Sequence, residues 1–361
     1  MLSFHALTLT RREPIAEDAF GLDLQPDPAL REAFRFEPGQ HLPVRARIGD
    51  RELRRTYSIV GSAGDALRIA VRVQGEMSRY LAGTLAIGDR LDAMEPTGRF
   101  RPTLDATRSR SVVAFASGSG ITPVLPILET ILRVEPGSNA MLFYGNRSLA
   151  RTMFVEELLA LKNRHLGRFA VHCLMSREPQ DVALFNGRLD GAKLRELAAS
   201  EFDPRAVDEY FVCGPGAMVK ELSATLRELG ANGKIHVERF STDAGAAPGR
   251  PAGAGVAVTP GAPVTPGAGH AEVQVTIDGR RRAFQMARDE RILDAAERAG
   301  LSLPFSCRSG VCSTCRAKLV AGTVEMDRNQ ALEDWEVQAG FILCCQARPT
   351  SALIEISYDE K

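Results

Sequence analysis

Cys307-Arg-Ser-Gly-Val-Cys312-Ser-Thr-Cys315 decides how the C-terminal part of this chain must fold, and a further thiol stands at Cys345. The spacing C-x4-C-x2-C, then Cys after twenty-nine residues, is that of a [2Fe–2S] ligand set. Four thiolates are needed because each iron of such a cluster is tetrahedral and keeps two protein sulfurs. Three of them come from one loop, so that loop must wrap the cluster closely. Ser309, Gly310, Ser313 and Thr314 are small, which lets main-chain N–H groups point at the sulfurs and stabilise the reduced state. Cys312-Ser-Thr-Cys315 alone would also suit a redox pair or half of a zinc site. A zinc site would want a second C-x-x-C or a His pair, and a thioredoxin-like motif would need neither Cys307 nor Cys345. For the fourth ligand the sequence offers two adjacent candidates, Cys344 and Cys345.

Around this loop the chain reads as a compact α+β module over 271–361. Glu272–Ile277 and Arg282–Met286 predict a hairpin about Asp278-Gly279. Residues 292–299 predict a short helix closed by Gly300. Residues 243–269 are dominated by Ala, Gly and Pro and have almost no side chain able to build a core, so 241–270 is expected to be a linker. Upstream, 106–240 alternates strand and helix patterns. Val112–Ala116 is a short apolar strand running into Ser117-Gly-Ser-Gly-Ile-Thr-Pro123, with Thr122 expected as the N-cap of the next helix and Pro123 as its first residue. Pro126 predicts an irregular helix start. This is a doubly wound α/β domain with a parallel sheet. Residues 1–105 read as short strands and turns, the pattern of a small antiparallel β-barrel.

The chain has 361 residues, enough for two or three domains. Lys plus Arg number 45 and Asp plus Glu 45, so bulk charge gives no reason to expect a nucleic-acid or membrane partner. The start carries charges early, and no run of apolar residues is long enough for a secretory signal or a membrane span. The cysteines a four-thiolate set does not use, Cys173, Cys213 and one of Cys344 and Cys345, suit free thiols in a reducing cytoplasm. The six histidines show no metal-ligand spacing.

Five motifs in order resemble the ferredoxin–NADP reductase superfamily, in the class whose reductase carries a C-terminal plant-type ferredoxin domain. Arg55-Thr-Tyr57-Ser58 resembles its R-x-Y-[ST] flavin motif, which implies that Arg55 neutralises the FAD pyrophosphate, Tyr57 packs on the isoalloxazine and Ser58 lies near its N5. Gly75-Glu-Met77-Ser78 resembles the second phosphate loop for FAD. Gly118-Ser-Gly120-Ile-Thr122-Pro123 resembles the cradle for nicotinamide-dinucleotide phosphates, with Thr122 close to the flavin. Cys213-Gly214-Pro215 resembles the nicotinamide-side motif, its thiol near the hydride path but not a nucleophile. Glu238-Arg-Phe240 lies, by the same resemblance, beside the flavin, with Phe240 able to cover the ring. Arg147 and Ser148 stand where an NAD-selective site often places an acid, which favours NADPH over NADH. Cys345 opens Cys-Gln-Ala-Arg-Pro, similar to the end of plant-type ferredoxin domains, so Cys307, Cys312, Cys315 and Cys345 are the expected ligands.

The resemblance implies hydride transfer from NADPH (or NADH) to FAD, single electrons onward to the [2Fe–2S] cluster, and an external acceptor; no general base is required. The run from Pro304 through Cys315 and on to Leu332 resembles the reductase of phenylacetyl-CoA epoxidase, which implies a di-iron oxygenase partner in phenylacetate breakdown. The alternatives are a reductase for another ring-hydroxylating or steroid oxygenase, and a non-catalytic iron–sulfur binding protein.

Overall fold

The computed structural model describes residues 4–240, 256–258 and 269–360. These fall into two compact units, divided within the Ala/Gly/Pro segment.

The first unit begins with six strands: β1 (His5–Ala16), β2 (Ala19–Gln25), β3 (His41–Ile48), β4 (Arg51–Ala63), β5 (Ala66–Arg72) and β6 (Arg90–Ala93). They close into an antiparallel barrel in the order β1-β2-β5-β4-β3-β6. Closure leaves no free sheet edge. The interior is filled by Leu7, Leu9, Leu22, Leu42, Val44, Ile59 and Ile69, alternate positions of their strands. One short helix, α1 (Glu76–Gly83), plugs the barrel with Met77 and Leu81.

Five strands follow: β7 (Ser111–Ser117), β8 (Asn139–Asn146), β9 (Phe169–Met175), β10 (Glu209–Pro215) and β11 (Lys234–Phe240). They form a parallel sheet in the order β11-β10-β7-β8-β9. Helices α2 (Ile121–Val134), α3 (Val155–Arg164), α4 (Gly191–Ser200) and α5 (Gly216–Glu228) make the crossovers. The order reverses between β7 and β10, so the crevice beyond their C-terminal ends is the natural ligand site of this topology. Strands β7 and β10 are buried on both faces and read as continuous apolar runs.

Two expectations about α2 are corrected. Its N-cap is Gly120, after a single 3-10 turn over Gly118–Gly120, and Thr122 lies inside the first turn with Oγ1 donating to the Ser119 carbonyl at 2.9 Å. The helix also runs unbroken through Pro126. Pro126 forfeits one hydrogen bond, but nearly every side chain of α2 is buried, and that packing outweighs the loss.

The barrel and the α/β domain are joined at an apolar seam where Ile15, Ala19, Val60 and Ala70 pack with Ile121, Leu125 and Leu128. At its rim Asp18 pairs with both Arg72 and Arg151, and the Arg72 Nη2 donates to the Arg151 carbonyl at 2.7 Å. Gly39 has φ +91, and a Cβ there would overlap the Phe100 carbonyl oxygen, so only glycine lets the two segments cross.

In the second unit, β13 (His270–Ile277) and β14 (Arg280–Ala287) form the expected hairpin, with Asp278 at φ 51 and Gly279 at φ 69. That is the left-handed pair a tight two-residue turn demands. Helix α6 (Ile292–Arg298) ends before Gly300, at φ 75. Strands β15 (Arg316–Ala321), β17 (Phe341–Leu343) and β19 (Leu353–Ser357) complete a mixed sheet, β14-β13-β19-β15-β17, and α7 (Asp334–Gln338) precedes β17. A second, three-stranded sheet holds β12 (Val256–Val258), β16 (Val324–Met326) and β18 (Ala347–Pro349). Strand β12 therefore lies within the expected linker. Val256-Ala-Val258 is a β-prone triplet in that run, and it pairs antiparallel with β16. Residues 241–255 and 259–268 of that linker lie outside the described residues.

Candidate functional site

The cluster loop joins α6 to β15. Its main chain takes positive φ at Arg308 (54), Gly310 (75) and Ser313 (51). Non-glycine residues held there store strain, and this loop stores it where it turns N–H groups inward. The Ser309 N–H donates to Cys307 Sγ at 3.4 Å and the Cys307 N–H to Cys312 Sγ at 3.5 Å. The Thr314 hydroxyl is 3.2 Å from Cys312 Sγ.

The thiols fall into two pairs in hydrogen-bond reach, Cys307 with Cys312 and Cys315 with Cys345. The first pair is half-buried and the second buried. A hydrogen bond from the Cys312 thiol, with N–H groups of Ser309 and Val311, pushes the Cys307 thiol down. Its partner Cys312 is pushed up by the same bond and by burial. Cys344 is turned the other way, against the Tyr358 hydroxyl, and burial pushes its thiol up to about 12. Among the described residues no three His, Cys, Asp or Glu side chains converge on a single metal position. Two pairs of thiols, with sulfur-directed N–H groups, fit a binuclear cluster and not a mononuclear zinc.

Behind the loop lies a support that sequence reasoning passed over. Glu336 is fully buried, and the Arg316 Nε donates to it at 2.8 Å while the guanidinium stacks 3.4 Å over the Phe341 ring. Trp335 is exposed, its Nε1 donating to Glu333 at 2.7 Å.

The nucleotide crevice is assembled from separate elements. Strand β4 presents Arg55 and Tyr57 on one face and Ser58 on the other. Tyr57 is half-buried, and burial pushes its phenol up against the opposing pull of Arg55. Ser58 is buried, and its hydroxyl lies 3.5 Å from Glu238 Oε1 on β11. Glu238 pairs in register with Cys213 on β10, so Ser58, Cys213 and Glu238 meet at the mouth of the switch point. Burial pushes the Glu238 carboxyl up to about 8, with the Ser58 hydroxyl acting the other way. The Cys213 thiol is fully buried and pushed up, first by burial and then by Glu238, so it is a protonated packing group. Phe240 pairs with Pro215 and stays half-buried at the rim.

The glycines of the dinucleotide loop divide their work. Gly118 sits at φ +55 with open space where a Cβ would stand, room that a phosphate can use. A Cβ on Gly120 would instead overlap the Cys213 carbonyl oxygen, so Gly120 lets the loop close on β10. Tyr144, not singled out in the sequence, braces this loop: its buried hydroxyl donates to the Gly118 carbonyl at 2.9 Å and accepts from the Met153 N–H at 3.3 Å. Helices α2 and α5 both begin at this crevice, the latter from Pro215, so two helix N-termini face it.

Gly75 caps α1, and Ser78 Oγ accepts from the N–H groups of Gln74 and Gly75, each at 2.9 Å. The Ser78 hydroxyl is thus spent on the loop itself, and the Met77 side chain lies in the barrel core. What this turn offers a phosphate is the main-chain N–H groups of the first helical turn. Arg147 is exposed and Ser148 half-buried just past β8. The Arg177 N–H donates to the Arg147 carbonyl at 2.9 Å, which brings a second exposed guanidinium-bearing residue alongside. Sequence reasoning missed Arg177; the signal was its place just past the neighbouring strand.

A closed barrel, a switch-point crevice and a two-pair thiol loop define a flavin- and pyridine-nucleotide-dependent iron–sulfur oxidoreductase. Three domain families match in sequence: an oxidoreductase FAD-binding domain over residues 6–101, an oxidoreductase NAD-binding domain over 115–224 and a 2Fe-2S iron-sulfur cluster binding domain over 275–350. The chain belongs to the family of oxygenase reductases that unite these three domains. It is 40% identical over 366 residues to one of the subunits of 1,2-phenylacetyl-CoA epoxidase of Escherichia coli (strain K12), covering 100% of this chain and 99% of that one. It is 30% identical over 339 residues to the ferredoxin reductase component of 3-ketosteroid-9-alpha-monooxygenase of Rhodococcus rhodochrous, covering 91% of this chain and 90% of that one. In fold it resembles phthalate dioxygenase reductase, with a TM-score of 0.53 at 24% identity and 98% of each chain covered. No helix among the described residues is long and apolar enough to cross a membrane.

Proposed function

We propose that this chain draws electron pairs from NADPH and delivers them singly to a di-iron oxygenase that epoxidises phenylacetyl-CoA. The observation that carries the acceptor is the full-length 40% identity to the epoxidase component, which spans all three domains and the segment between them. When bound, the flavin supplies two-electron acceptance with one-electron release and the cluster supplies one-electron carriage. Arg55, Tyr57 and Ser58, with the N–H groups opening α1, would hold FAD. Cys307, Cys312, Cys315 and Cys345 would hold the cluster. Gly118, Gly120 and Thr122 would line the dinucleotide phosphates, and Cys213-Gly214-Pro215 the nicotinamide side.

The protein's own part is to bind, orient and manage a proton. Glu238, its carboxyl raised to about 8, holds a proton near neutral pH within reach of Ser58 Oγ, and the pair can pass one into the crevice. Arg147 and Arg177, with Ser148, form a cationic, hydroxyl-bearing end to β8 and β9 that suits a ribose 2′-phosphate. A chain with a thiolate-ligated cluster and three further cysteines outside any disulfide is suited to the reducing cytoplasm.

The reading is tested by coupled turnover: the purified chain, NADPH and the di-iron epoxidase components should consume phenylacetyl-CoA. The 30% identity to the steroid monooxygenase reductase favours a second reading, an oxygenase of that kind as acceptor. Turnover with a 3-ketosteroid oxygenase and none with the epoxidase would select it.

A further inference from the structure

Gln346 follows Cys345 directly and is 1% exposed. Its Nε2 donates to the Arg308 carbonyl at 2.9 Å and to the Cys345 carbonyl at 2.8 Å, and lies 3.6 Å from Cys345 Sγ. Two carbonyl acceptors fix which end of the carboxamide faces inward, since the opposite orientation would set oxygen against oxygen. The outward end gains nothing: Gln346 Oε1 is buried without a partner. An apolar side chain of the same shape would avoid that cost. The side chain is also wedged in place, because Gly310, at φ +75, would bring a Cβ to 3.0 Å from Gln346 Cγ. A carboxamide that tolerates an unpaired oxygen and needs a glycine opposite it is held there for its nitrogen. That nitrogen joins the two halves of the ligand set, the Arg308 main chain beside Cys307 and the sulfur of Cys345.

We propose that Gln346 sets the reduction potential of the cluster through a three-centre bond, the Nε2–H turned to the Cys345 carbonyl being shared with Cys345 Sγ. One electron enters on reduction and no bond forms or breaks, and negative charge grows on the ligand sulfurs. An N–H···S bond is stronger to the more negative sulfur, so it favours the reduced state and raises the potential. The Cys307 and Cys312 sulfurs take main-chain N–H groups, which a change of side chain other than to proline leaves in place. The Thr314 hydroxyl adds a side-chain contact to Cys312 Sγ at 3.2 Å, and Gln346 supplies the side-chain contact to Cys345, so the latter can be adjusted independently of the loop's main chain.

The test is the midpoint potential of the cluster in the full-length holoprotein, read by anaerobic redox titration with EPR detection. Gln346→Met keeps the volume and removes the donor. It should weaken electron retention by the cluster about tenfold, a fall of about 59 mV for a one-electron couple. Gln346→Glu, which replaces the donor with a carboxylate, should fall further. An unchanged potential in either variant overturns the proposal. Should neither variant retain its cluster, the wild-type protein labelled with 15N at glutamine side chains decides: pulsed EPR of the reduced state should show a side-chain 15N coupling, and its absence overturns the proposal.

Discussion

The cluster loop and the nucleotide crevice are built on opposite plans. The loop carries three of the four candidate ligands in nine consecutive residues and turns its own main-chain N–H groups on their sulfurs. The crevice takes one to three residues from each of β4, α1, the turn and helix after β7, β10 and β11 and depends on barrel and sheet staying locked at the seam. A site made of one loop fails by losing a ligand. A site made of many elements fails by losing alignment, and each part alone matters less.

The largest expected effect falls on the loop. Cys345→Ser should abolish the cluster absorbance and EPR signal while flavin reduction by NADPH persists, and Cys344→Ser should keep both. The reverse outcome would reassign the fourth ligand. In the crevice, Gly120→Ala forces a Cβ into the Cys213 carbonyl and should cost about 1–3 kcal/mol in denaturant unfolding of the first unit, with flavin reduction slowed. Gly118→Ala, strained by its φ but with open space, should cost only about 1–2 kcal/mol and act mainly on the KM for NADPH. Equal effects of the two glycine variants would break the division of labour drawn between them.

Smaller again is the selectivity at the end of β8 and β9. Arg147→Ala and Arg177→Ala should each lower the NADPH/NADH ratio of kcat/KM roughly five- to tenfold, as loss of one exposed charge-assisted contact does, with kcat for NADH unchanged. An unchanged ratio in both would remove the 2′-phosphate reading. The mildest prediction concerns pH. Glu238 has a folded pKa raised to about 8 from an ordinary 4.5. The folded state therefore holds this proton more tightly, and its contribution to stability is full at low pH and lost as pH rises through about 8. Thermal unfolding of Glu238→Gln should fall less between pH 6 and 9 than that of the parent, and its flavin-reduction rate should lose a limb near pH 8. A parallel pH dependence in the two would show that Glu238 is ionised in the folded protein at neutral pH.

The same contrast explains what was legible in the sequence. Cysteine spacing is a one-dimensional record of a one-loop site, so the ligand pattern could be read directly, and Asp278-Gly279 announced its hairpin because the turn needs two positive φ values. The adjacent thiols Cys344 and Cys345 could not be told apart by spacing; in the fold Cys344 lies against Tyr358 and Cys345 against Cys315. The support residues were hidden because they act across the fold. Arg316 and Glu336 read as ordinary charged surface, yet they meet in the interior. Tyr144 ended an apolar strand like any core residue, and only the fold shows its hydroxyl under the glycine loop. Thr122 looked like a cap because capping residues precede helices, but the 3-10 turn of Gly118–Gly120 starts the helical path earlier. Helix α4 was passed over because only Gly191, Leu194 and Leu197 of its residues are buried, too few for a clear period.

The central claim is that one polypeptide accepts electrons in pairs and releases them singly. Anaerobic titration of the purified holoprotein with substoichiometric NADPH, following flavin and cluster absorbance together, tests it most directly. The account predicts that both chromophores bleach in the same titration, with NADH less effective. Flavin bleaching with a cluster that stays oxidised, or no bleaching at all, would contradict it.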